Sequence, residues 1–170
     1  MSKTDNDQNI CLACGLCCDG TLIGFVELED KEVTRLKNTM PIEEVAGNGF
    51  FLHPCSKFCN GCTIYEDRPK KCDEFKCGLL NAVTQKELDF NTALEAIAEV
   101  KERKATIQDK LTQLDLKLKS ESFYFKMVEV KKVLQKLKSE GNALALHLEL
   151  ITDLKAMDSI LLSKFNITLD

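Results

Sequence analysis

Four cysteines, Cys11, Cys14, Cys17 and Cys18, fall within eight residues, and all nine cysteines of the chain lie between Cys11 and Cys77. Buried thiols can act as small hydrophobes, and Cys59 and Cys18 are the first candidates for that role. Nine thiols in 67 residues are too many for it. Such a segment is shaped by bonds to its sulfurs more than by a broad apolar core. Nine is also an odd number, which intramolecular disulfides cannot use up. The opening "MSKTDNDQNI" is polar and acidic, without the basic start and apolar run of a secretory leader, and no stretch approaches 18 consecutive apolar residues. The chain is therefore expected to be cytoplasmic and free of membrane, in a reducing compartment where clustered thiols bind metal or do redox chemistry.

Spacing narrows the chemistry. A C-x-x-C turn lets two sulfurs face one metal, and Cys11, Cys14 and Cys17 repeat that spacing, offering three thiolates to one centre, as in the run that begins a ferredoxin-type cluster site. The fourth cysteine followed by proline is missing, so a fourth ligand must come from Cys62, Cys72 or Cys77. Adjacent Cys17 and Cys18 send their side chains in different directions and are poorly placed to share one mononuclear metal. "CLACG" fits a zinc knuckle equally well, its glycine opening backbone amides toward the sulfurs. Thiolates favour Zn²⁺ or an iron-sulfur cluster, with 4Fe–4S as the expected cluster type, over Mg²⁺ or Ca²⁺. His53 beside Cys55 reads better as a nitrogen ligand than as half of a Cys-His hydrolase, because Pro54 intervenes and no orienting partner is visible.

The chain divides into unequal halves. Its three prolines and seven of its eight glycines lie in the cysteine-bearing stretch, which predicts a boundary near 79–83, with a cysteine-rich metal-binding module over 1–80 and a helical arm over 81–170. In the first half, "GTLIGFVELE" reads as a strand, "DKEVTRLKN" as a short helix with Asp30 near its cap, and "GNGFFLH" as a turn leading into a strand. Arg68-Pro69 reads as a helix start, with proline at the first position and Cys72 on the first turns.

Beyond residue 80, Thr84 and Glu87 have the form of a capping box. Behind them Ala93, Ile97, Val100, Lys104, Ile107, Leu111, Leu114 and Leu118 form a heptad seam broken only by Lys104. The predicted helix, about 85–119, would be roughly 50 Å long. Ser120 and Ser122 read as caps, and Phe123, Met127, Val130, Leu134 and Leu137 as a second stripe stopped by Gly141 and Asn142. A third runs through Leu146, Leu150, Leu154, Met157 and Leu161 toward "SKFNITLD". The fold class expected is α+β: a small irregular cysteine-rich module followed by an antiparallel helical bundle or coiled-coil arm. The stripes read as packing, and the lone His147 as a packed or surface residue. Nothing after residue 80 has the form of a catalytic or nucleotide-binding motif. A net charge of −4 supplies no basic field for a phosphate backbone, which sets nucleic acid aside.

"CLACGLCC" followed by "CTIYEDRPKKCDEFKC" resembles the CxxCxxCC cysteine-cluster family of YkgJ-like zinc- or iron-chelating proteins, over roughly residues 11–78. The resemblance implies eight candidate metal ligands: Cys11, Cys14, Cys17, Cys18, Cys55, Cys62, Cys72 and Cys77. Cys59 is then the extra thiol, and Ile64-Tyr65 and Arg68-Pro69 are scaffold. Arg68 is expected to pair with nearby acidic residues or to offset thiolate charge. Asp73 stands where arginine is frequent in such proteins, which puts an anion-binding role there in doubt. One branch is similar to flagellin lysine N-methylase, but no S-adenosylmethionine site is recognisable here. The expected function is chelation of an iron-sulfur cluster or zinc, with the helices serving assembly, as a homo-oligomer, or docking of a protein partner. The alternatives are a cluster-dependent methyltransferase or redox enzyme, and a structural zinc adaptor without catalysis.

Overall fold

The computed structural model describes residues 9–114, 116–141 and 145–169. The acidic opening over 1–8 and the stop signal at Asn142 lie outside the described residues. The fold is α+β: a small antiparallel sheet with helices before, within and after it.

Helix α1 (Ile10–Cys14) starts on Asn9, whose side chain accepts from the Cys11 and Leu12 amides, and stops at Gly15 in the left-handed conformation. A Cβ on Gly15 would also lie 2.6 Å from the Phe58 ring, so the glycine answers both a backbone and a packing demand. Strand β1 (Phe25–Leu28) alternates exposed and buried residues, as a strand with one face on a core must. Helix α2 (Asp30–Leu36) is capped by Glu29, one residue before the expected Asp30, in a capping box with Glu32.

Strands β2 (Glu43–Val45) and β3 (Asn48–Leu52) form a hairpin whose two turn residues, Ala46 and Gly47, both have positive φ, the two-residue geometry that suits twisted strands. β2 was not legible in the sequence. β3 is central, pairing Val26 with Phe51 on one side and Glu44 with Gly49 on the other. Helix α3 (Lys70–Glu74) follows a 3₁₀ turn at Tyr65–Asp67, with Pro69 as its N-cap where the sequence suggested the first helical position.

The second half departs from expectation at both ends of its long helix. The long helix does not begin at Thr84, because the Thr84 hydroxyl donates to the Leu80 carbonyl at the end of a separate helix, α4 (Gly78–Thr84). Lys86 then turns with φ +60. Asp89 caps α5 (Phe90–Gln113), accepting from the Thr92 amide at 3.0 Å. With 24 residues, α5 is about 36 Å long, shorter than the seam implied. Leu118 packs on the core from a non-helical segment. Helix α6 (Phe123–Ser139) is capped by Ser122 as expected, and α7 (Ala145–Ile160) runs into a π-helical turn, Leu161–Phe165.

Two hydrophobic cores result. The larger gathers most of the seam residues of α5, α6 and α7, though not Leu137 or Leu146, with Ile10, Leu16, Leu22 and Leu79, so residues on both sides of position 80 share it. The smaller lies under the sheet: Val26, Leu28, Leu36, Met40 and Phe51. Lys104, the break in the seam, reaches out of the larger core to Asp19 and Thr21, with Nζ 3.0 Å from each. The cysteine loops lie where the two cores meet.

Candidate metal centre

The eight cysteines expected as ligands line one cavity of ≈ 770 Å³. Cys59 is not among its walls and is exposed, so it is not the buried hydrophobe that the sequence suggested. Cys18, the other candidate for that role, faces the cavity with the rest. All nine thiols are free.

Each cysteine is delivered by a local device. Cys11 and Cys14 stand on α1, and the left-handed Gly15 turns the chain so that the Leu16 amide donates to the Cys14 sulfur. The Lys57 amide does the same for Cys55, and the Leu80 amide for Cys77, at 3.5 Å. Amides aimed at sulfur favour its anionic form and so prepare it for a cation. The Cys18 carbonyl accepts from the Cys55 amide at 2.8 Å, which ties the first cysteine run to the loop carrying Cys55, Cys59 and Cys62. Cys72 rides on α3, whose start is fixed by buried Glu32: its carboxylate accepts from the Lys70 amide at 2.7 Å and the Glu29 amide at 3.0 Å. Glu32 had no signature in the sequence beyond its place in a short helix.

Burial dominates the electrostatics of the thiols. It pushes Cys14, Cys18 and Cys72 up to about 12 and raises Cys11, Cys17 and Cys55 as well. These groups are neutral at pH 7, and a metal that binds them must displace their protons. Arg68 supplies the opposing charge. Its guanidinium lies 3.9 Å from the centre of the Tyr65 ring, donates to the Tyr65 carbonyl and pairs with Asp73, and it lowers both Cys11 and Cys72. Asp73 therefore anchors the arginine beside the thiols.

His53 also lines the cavity and is buried, 4 % exposed. Its Nδ1 lies 3.2 Å from the Cys18 carbonyl, which can only accept, so the proton sits on Nδ1 and Nε2 carries the lone pair. Nε2 is buried and has no hydrogen-bond partner among the described residues, and burial lowers the affinity of the ring for a second proton. His147 lies away from these walls, buried on α7. The thiols ring the cavity without closing on a point: among the described residues, no three His, Cys, Asp or Glu side chains stand in metal-holding geometry. The donor set is nonetheless one that soft metals select, being sulfur-rich, buried and furnished with amides directed at sulfur.

No helix among the described residues is long and apolar enough to cross a membrane. Neither a curated protein nor a solved structure matches the chain. A family match does exist, and it extends past the last cysteine through α4 into the first turns of α5. It covers residues 10–99, more than half of the chain, and its description is "Putative zinc- or iron-chelating domain". The chain belongs to the CxxCxxCC family.

Proposed function

We propose that this protein chelates an iron-sulfur cluster or zinc through Cys11, Cys14, Cys17, Cys18, Cys55, Cys62, Cys72 and Cys77, and that its C-terminal helices serve assembly or partner docking. The observation that carries the reading is the sorting of the nine cysteines. Eight face one cavity and the ninth faces solvent. A fold that used its thiols only as small hydrophobes would have no reason to gather them around a shared space. When bound, the metal would supply either electron transfer, as a cluster, or cross-linking of otherwise weakly packed loops, as zinc.

The test is purification without oxygen, followed by iron, acid-labile sulfide and zinc per chain and a visible spectrum. Iron and sulfide in equal amounts with a broad charge-transfer band fit the cluster. Colourless protein carrying zinc fits a structural centre. Protein with neither, unable to take up either, overturns the reading.

The volume of the cavity favours a second reading, because ≈ 770 Å³ falls within the range of small-molecule sites. In that reading the thiol centre is part of a methyltransferase or redox site. Saturable binding of S-adenosylmethionine to the metal-loaded protein supports it, and absence of binding removes the methyltransferase version.

A further inference from the structure

The cavity is walled by both cores, and its cysteines divide between them. Cys14, Cys17 and Cys77 pack against the larger core, whereas Cys55 and Cys72 pack against the smaller one under the sheet. Backbone connections follow the same division. α1, which carries Cys11 and Cys14, packs on α4, whose N-cap is Cys77. Cys18 is joined to Cys55 by the 2.8 Å bond to its carbonyl, and Cys62 sits in the loop that an isolated bridge to Phe58 closes behind Cys55.

The two sets meet at Cys17 and Cys18, neighbours through one peptide bond. Adjacent side chains in a turn diverge, so this pair is the natural place for a chain to pass from one site to another.

From this we infer that the centre is two four-thiolate sites, Cys11, Cys14, Cys17 and Cys77 in one and Cys18, Cys55, Cys62 and Cys72 in the other, divided at the Cys17–Cys18 peptide. The inference rests on the chelating function proposed above and adds the number of sites and the ligands of each. Four thiolates leave a tetrahedral ion without an open position, which assigns each site a closed coordination shell. Arg68 lines the same cavity and supplies a positive charge there to offset that of the thiolates.

Cadmium ion, a thiolate-seeking probe with the geometry of zinc, tests the division on apoprotein kept reduced. The parent is expected to take up two Cd²⁺ per chain, both with ¹¹³Cd resonances in the four-sulfur range. Cys77→Ser is expected to take up one, and alkylation with peptide mapping should find Cys18, Cys55, Cys62 and Cys72 protected. Cys62→Ser should give the complementary result, Cys11/Cys77→Ser together should still hold one, and Cys62/Cys77→Ser should hold none.

A measurement on the parent removes dependence on variants that fail to fold. At one equivalent of Cd²⁺, individual molecules should show four protected cysteines drawn from a single set. Protected groups that mix the sets, or uptake of one Cd²⁺ only, overturn the division while leaving chelation intact. No uptake at all overturns both, so the two failures are distinguishable.

Discussion

Lys104 holds the cysteine loop to the long helix, and replacing it by methionine should show this. The Lys104 side chain is 16 % exposed and its ammonium lies 3.0 Å from Asp19 Oδ2, itself on a side chain 21 % exposed; a second bond goes to Thr21 Oγ1 at 3.0 Å. Methionine keeps most of the aliphatic stem, so packing changes little, and the loss is that of the charged bonds. Oδ1 of Asp19 retains the Thr21 amide at 2.9 Å and the Thr21 hydroxyl at 2.6 Å, whereas Oδ2 is left without its cation. A hydrogen bond to a charged group is worth about 1.5–3 kcal/mol, and stranding a fully buried partner costs about 3–5 kcal/mol. For a pair still partly wetted, about 2–3 kcal/mol is expected. In a chain of this length that lowers Tm by roughly 5–10 °C. The assay is urea and thermal unfolding of the reduced apoprotein, with Asp19→Asn and the double variant completing a cycle. A coupling of about 1–2 kcal/mol is expected. Because Asp19 directly follows Cys17 and Cys18, Lys104→Met should also release metal faster to a chelator. A Lys104→Met protein within about 0.5 kcal/mol of the parent, or a cycle without coupling, would refute the reasoning.

Other outcomes follow from the site. Burial holds Cys14, Cys18 and Cys72 near 12 when folded against 9.0 in a free chain, so the folded apoprotein binds more protons than the unfolded chain between those values. Apoprotein stability should therefore fall as pH rises above 9, less steeply in Cys14→Ala; a pH dependence of the urea midpoint left unchanged by that replacement contradicts the assignment. In the metal-free protein at pH 7, exposed Cys59 should be alkylated well before Cys14, Cys18 and Cys72, as mass mapping of a short iodoacetamide pulse would reveal. Gly15→Ala places a side chain at φ +70 against the Phe58 ring and should cost about 1–2 kcal/mol in urea unfolding; an unchanged midpoint would remove the turn from the account of the site. Arg68→Ala should weaken retention of metal, more at low than at high ionic strength, since it removes the cation acting on Cys11 and Cys72; identical metal content at both salt levels counts against the charge-offset role.

The features that needed only local information were legible from the residues in order. The C-x-x-C spacing, the glycine after Cys14, the serine cap at Ser122 and the 3.6-residue stripes depend on neighbours a few positions away, and they reappear as α1 with its Gly15 stop and as the buried faces of α5, α6 and α7. The misplaced start of α5 shows the limit of such signals. Thr84 and Asp89 both have the chemistry of a cap, and the choice fell to whichever oxygen met a free amide: Asp89 met that of Thr92, while Thr84 was already spent on Leu80.

Sequence alone determined the stock of soft donors, the pairwise spacing that lets sulfurs converge, and the amphipathic helices able to bury a wall behind them. Tertiary structure decided which thiols share a cavity. Cys77 reaches the cavity that Cys11 and Cys14 line because α4 packs on α1, and Cys59 stays outside it, exposed to solvent. It also gave Lys104 a purpose that no seam could announce, since its partners lie 83 and 85 residues away. Spacing along a chain fixes only contacts within a turn or two. Contacts between distant segments are set by how two cores close against each other, and that is a property of the whole fold.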